Sequence, residues 1–207
     1  MRSRHPLVMT VAWALTAGLL AGCDTPSRII KYPEGSLQVR FEDATAHSTC
    51  LVASVAMAAN YLLGERVYTE AGIRQALHRA GLYETRVGDL QTYLANEKLH
   101  MVVLKGTLDG KPPLSLRYWL QNRGYPVICV INRREHSPSF NHAVVVIGIS
   151  RTLEGPPADS IHYLDPASPL QLHSEGLDAF ETLWARGENA MMIVVAPPTD
   201  AGSDPGR

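Results

Sequence analysis

Val127-Ile128-Cys129-Val130-Ile131 and Ala143-Val144-Val145-Val146-Ile147-Gly148-Ile149 are the runs that decide the fold. Branched side chains pack well on a pleated surface, so short Val/Ile runs bounded by turn-forming residues read as buried strands. Ile161 to Leu164 and Met191 to Val195 have the same character, His100 to Leu104 is a further candidate, and Ser137-Pro138-Ser139 and Gly155-Pro156-Pro157 supply turns. Upstream the period is helical instead. Leu51 to Leu63 is rich in Ala, Leu and Met, with Ser48 or Thr49 available as N-cap and Gly64 just past its end. Helices also fit Glu70 to Arg79, Gly88 to Glu97 and Leu114 to Asn122, the last with Leu116, Trp119 and Leu120 on one side and Gly124 as its stop. Glu175 to Ala185 reads as one more helix before the final strand. Helices first and strands second predict an α+β domain, its N-terminal helical part packed on a mainly antiparallel C-terminal sheet.

Outside this domain the sequence changes character. Met1-Arg2-Ser3-Arg4 is followed by an apolar run from Leu7 to Ala21 that closes on Leu19-Leu20-Ala21-Gly22-Cys23. A charged start, a short apolar segment and a small-residue cleavage site make a secretion signal over residues 1–22, the alternative being an uncleaved anchor helix. The ending resembles a lipoprotein signal, which implies a lipid on Cys23 and a bacterial cell-envelope location facing the periplasm or exterior. Asp24 after that cysteine resembles an inner-membrane retention signal. Residues 23–36 are polar with Pro26, Pro33 and Gly35 and read as a tether, residues 37–196 as the domain, and the Pro/Asp/Gly-rich residues 197–207 as a disordered tail. Without Arg2 and Arg4 the 19 basic residues become 17 against 20 acidic ones, a balance unsuited to nucleic acid.

Cys129 sits inside an apolar run and reads as a packed hydrophobe, which leaves Cys50 as a single thiol. A Cys50–Cys129 disulfide is the alternative in an exported protein. Cys50 stands where Ala46-His47-Ser48-Thr49 gives way to a helix, and helix N-terminal N–H groups stabilise a thiolate there. His142 opens the strand Ala143 to Ile149, where its ring can face a cleft and exchange a proton with a thiol. Asp165 ends the run Ile161 to Leu164 ahead of Pro166, placed to accept the other ring N–H of His142. Taken singly, the three also read as a packed cysteine, a surface histidine and a strand-ending Asp-Pro turn.

Together they resemble the papain-like cysteine peptidases that process bacteriocin precursors after a double-glycine leader. Cys50, Ala53, Met57, Tyr61 and Gly64 fit the pattern of the nucleophile helix, His142 to Gly148 the histidine motif, and Asp165-Pro166 the acidic one. The resemblance spans Gln38 to Val195. It implies a papain-like fold, a Cys50–His142–Asp165 triad and a peptide or protein substrate, with no cofactor. Two positions depart from the pattern: Leu51 stands where Gly follows the nucleophile, and Ala44 where a Gln donates to the oxyanion. Replacement donors would be His47, Ser48 or Gln38, acting with the backbone N–H of Cys50. The other reading is a catalytically silent module of the same fold that binds a peptide or protein at the membrane surface. His162 and His173 lack partners at metal-ligand spacing, Asp89 and Gln91 suit a helix start, and no phosphate-binding Gly loop is present.

Overall fold

A computed structural model describes residues 30–197 apart from 47, 135–136, 138–140 and 153–157. The signal at 1–22, the lipid site Cys23, the first part of the tether, His47 and the tail from 198 therefore lie outside the described residues.

Six strands form one sheet in the order β1-β6-β2-β3-β4-β5, with every neighbour antiparallel: β1 His100–Lys105, β2 Val127–Asn132, β3 Asn141–Thr152, β4 Ala158–Leu164, β5 Leu172–Gly176 and β6 Ala190–Val195. Helices α1 Cys50–Leu63, α2 Glu70–Arg79 and α3 Val87–Asn96 cover one face, and α4 Leu177–Arg186 covers the other. The strand alternation explains this division. Ile128, Ala143, Val145 and Ile147 point toward the first three helices, whereas Val127, Cys129, Val144 and Val146 point toward α4.

α1 is the innermost helix. Cys50 and every residue from Val52 to Asn60 are buried, because the helix lies on β2, β3 and β6 while α2 packs on its other side. Small residues such as Ala53, Ala56 and Ala59 suit a helix enclosed so closely. Gly64 ends it in the left-handed conformation at φ 73°, which glycine adopts without a Cβ penalty. Asn60 fixes the turn that follows: its carbonyl accepts from the backbone N–H of Val67 and Tyr68, and its amide donates to Tyr68 O at 2.7 Å.

Three expectations change. Leu114 to Asn122 is not one regular helix: Ser115 forms a bridge with Thr107, and a π-helical turn occupies Tyr118–Asn122. The Ser115 hydroxyl donates to Leu108 O and accepts from the Tyr118 N–H, tying the helix start to the preceding loop. Glu175 and Gly176 belong to the edge strand β5, paired with Ile161 and Ser160, so α4 begins only at Leu177. Finally, the later part of the expected tether is docked. Ile30 and Tyr32 pack against the helical-face core, and the Tyr32 hydroxyl donates to Val39 O. Leu37 N–H donates to Ile147 O at 2.8 Å, beside the register shift between Val146 and Gly148, where Ser36 lies directly over Gly148. The bulge turns a strand carbonyl toward a segment from outside the sheet.

Candidate active site

Thr49 precedes α1 without capping it: its hydroxyl donates to Ala46 O and accepts from Ala46 N–H, and makes no bond to the first-turn N–H groups. The first-turn N–H groups of a helix have no intrahelical acceptor, so this end carries partial positive charge. Cys50 is the first residue of the helix, with 8 % of its surface exposed. Two ties align it with the sheet. The Ser54 hydroxyl, one turn further on, donates to Ala143 O at 3.4 Å, and Ala44 N–H donates to Pro166 O at 2.8 Å. The loop before the nucleophile is thereby held to the loop after Asp165.

His142 enters β3 opposite Ile131. Its Nε2 lies 2.6 Å from Asp165 Oδ1. An ionised carboxylate only accepts, so Nε2 carries the proton and Nδ1 is left for the Cys50 sulfur. Interaction with the His142 ring is among the influences that lower the Cys50 thiol. Asp165 is 1 % exposed and fully engaged: Oδ1 also accepts from Ala167 N–H at 2.9 Å, and Oδ2 pairs with Arg133 Nη2 at 3.1 Å.

These contacts set the protonation states. Burial alone would push the Cys50 thiol up, but the His142 hydrogen bond, the Ala143 N–H, the imidazolium charge and the Leu51 N–H together hold it below the ordinary thiol range. Burial likewise opposes charge on His142, yet hydrogen bonds to Asp165 and Cys50, and their charges, raise it to about 9. Burial would raise Asp165, and the His142 contact, the Ala167 N–H and Arg133 outweigh it and keep the carboxyl low. The site therefore favours a thiolate–imidazolium pair, formed above the lowered thiol pKa and lost as pH rises through about 9.

The proposed oxyanion donors fare differently. The Gln38 amide is exposed and donates to Ser36 O at 3.2 Å, and the exposed Ser48 hydroxyl donates to Glu84 Oε1 at 3.1 Å. Each makes a bond to a protein partner at the surface, and His47 lies outside the described residues. Cys129 is fully buried on the opposite face of the sheet from Cys50; both cysteines are free, which overturns the disulfide alternative, and burial pushes the Cys129 thiol up. No group of three or more His, Cys, Asp or Glu residues fit for a metal occurs among the described residues. His162 is buried between the hydroxyls of Ser150 and Ser174, at 2.7 and 2.8 Å, and burial lowers its pKa.

Arg133 was not singled out by the sequence. It follows β2, and its importance emerges only from the register that pairs Asn132 with Asn141 and so sets this cation beside the entrance of β3. A basic residue closing an apolar strand run is the signal that was there to find.

No family pattern matches the sequence, and no curated protein matches it. Among solved structures, the chain is similar to the peptidase domain of Streptococcus ComA, a bi-functional ABC transporter involved in a quorum-sensing pathway. The TM-score is 0.54 at 13 % identity, covering 77 % of this chain and 99 % of that one. It is also similar to a double-glycine-motif protease from an AMS/PCAT transporter in complex with the leader peptide, with a TM-score of 0.52 at 16 % identity, covering 79 % and 96 %. The helices on an antiparallel sheet are common to all three, and the chain has the α+β fold of these peptidase domains.

Proposed function

We propose that the chain is a cysteine peptidase held to the bacterial cell envelope by a lipid on Cys23. The observation that carries the catalytic part is the contact chain Cys50–His142–Asp165, with the thiol lowered and the imidazole raised. In this reading the Cys50 thiolate attacks a peptide carbonyl and forms a tetrahedral oxyanion. The imidazolium gives its proton to the leaving amine as the C–N bond breaks, leaving a thioester. Water then adds to the thioester while His142 takes its proton. The acid departs as the sulfur leaves, and Asp165 holds the ring in place throughout. The uncapped start of α1 supplies backbone N–H groups for the oxyanion. That both fold neighbours are peptidase domains, one of them bound to a leader peptide, supports a peptide as substrate. The anchor rests on the sequence from Leu7 to Cys23.

The second reading, a silent module that grasps a peptide or protein partner, is favoured by Ala44, which brings no side-chain donor, and by the engagement of Gln38 and Ser48 elsewhere. Losing one such donor costs about 10²–10³ in rate in a well-studied hydrolase. Incubating the full chain with a peptide library and mapping new termini by mass spectrometry separates the two. The peptidase reading expects cleavage that disappears in Cys50→Ala. Retained peptides with no Cys50-dependent termini would establish the silent module instead.

A further inference from the structure

Behind the candidate site the contacts continue. Arg133 Nη2 pairs with Asp165 Oδ2 at 3.1 Å and donates to the Tyr163 hydroxyl at 3.2 Å, and that hydroxyl donates to Glu175 Oε1 at 2.7 Å. His173 stacks on the Tyr163 ring, with centroids 5.2 Å apart and planes 8° from parallel, and its Nε2 bonds the Ser168 hydroxyl. The second oxygen of Glu175 is buried with no hydrogen-bond partner among the described residues, so that carboxylate finds its compensation in the Arg133 charge reached through Tyr163. From α1 to β5 acidic and basic groups alternate: Cys50, His142, Asp165, Arg133 and Glu175.

We infer that Arg133 is a positioning residue for the Cys50–His142 pair: it fixes the plane of the Asp165 carboxylate and shares its charge, with Glu175 as counterweight. This rests on the triad reading given above. A buried carboxylate bonded at one oxygen only can turn about its stem and holds its single partner with its whole charge. Occupying Oδ2 with a guanidinium removes the turning and weakens the grip on the imidazolium, so that His142 can release its proton to a leaving group. Tyr163 keeps Arg133 aimed inward although 46 % of the Arg133 side chain is exposed.

The groups that face His142 are Cys50 from α1, Asp165 from the end of β4 and, through that carboxylate, Arg133 from the end of β2; Tyr163, Glu175 and His173 lie beyond. The test is histidine-selective isotope labelling of the full chain and NMR titration of the His142 ring. In the unsubstituted protein the ring is expected to titrate near 9. Arg133→Met should move that midpoint upward by roughly half to one pH unit, the size expected for one half-exposed charge at this range. Glu175→Gln should move it downward, because Arg133 then acts uncompensated, and Arg133→Lys should stay near the original value. A merely structural role does not produce shifts of opposite sign. A midpoint unmoved or lowered by Arg133→Met overturns the inference. If that variant does not fold, a midpoint that fails to fall in Glu175→Gln does the same. A starting midpoint at or below the ordinary histidine value instead overturns the triad reading, and the two failures are thereby distinguished.

Discussion

Replacing His142 with Ala tests what activates the sulfur. The substitution removes a hydrogen bond and a charge from Cys50 and leaves burial as the largest influence on it, so the thiol should titrate at or above the ordinary value. A thiol titrating at about 8.5 is roughly 1 % ionised at pH 6.5. The ion pair raises the ionised fraction of the sulfur at that pH, and the thiolate population should therefore fall in the variant, by at most about a hundredfold. A more basic thiolate is intrinsically faster, with a Brønsted slope of about 0.4–0.5, which returns a little under half of that fall on a logarithmic scale. The rate of iodoacetamide alkylation, followed by mass spectrometry of the Cys50 peptide, should drop at pH 6.5, by up to about tenfold, and recover by pH 9.5, where both proteins carry thiolate. Removing a ring also opens access to a sulfur that is 8 % exposed, but that gain is the same at every pH. The pH dependence of the ratio is thus the diagnostic quantity, and Cys129, fully buried, serves as an unreactive control. A ratio constant from pH 6.5 to 9.5 would refute the claim that His142 ionises Cys50.

Asn60→Ala should cost about 2–4 kcal/mol in urea unfolding, since it strips the buried N–H and carbonyl of Tyr68 and the partly buried N–H of Val67 of three hydrogen bonds. Gly187→Ala should destabilise by about 1–3 kcal/mol or more, because a Cβ there would sit 2.0 Å from Val130 O, a backbone atom of the central strand β2 that cannot swing aside; unchanged thermal stability would count against this packing. Cys23→Ser should move the protein from the membrane to the soluble fraction on cell fractionation, and continued membrane association would remove the lipid anchor from the proposal.

How much of this the sequence disclosed follows from where each element buries its side chains. α2 was legible from Glu70 to Arg79, because Ile73 and Leu77 mark one face and Thr69 caps the start, accepting from Gly72 N–H. β2 and β3 were equally plain, since both faces of the sheet are covered and nearly every residue must be apolar. β5 was not: Leu-His-Ser-Glu-Gly is an edge strand, half-exposed and polar, with no hydrophobic signature of its own. The run from Leu114 looked helical by its apolar spacing, but bonds from Ser115 to the Leu108 loop override that local preference. Cys50, His142 and Asp165 were visible because each sits where an element begins or ends. Arg133 acquires meaning only through cross-strand register, and the docked segment around Tyr32 and Leu37 only through a bulge in β3, and neither relation is written in local composition.

The placement of Cys50 and Cys129 on opposite faces of one sheet also decides what oxidation can do to this molecule. A thiolate oxidised to sulfenic acid is ordinarily rescued by a neighbouring thiol that captures it as a disulfide. Here the sheet itself stands between the sulfur that reacts and the only other cysteine among the described residues, which is sealed in the core on the far face. Damage at Cys50 therefore has no resolving partner within the domain and must be repaired by a small thiol or a reductase arriving from outside.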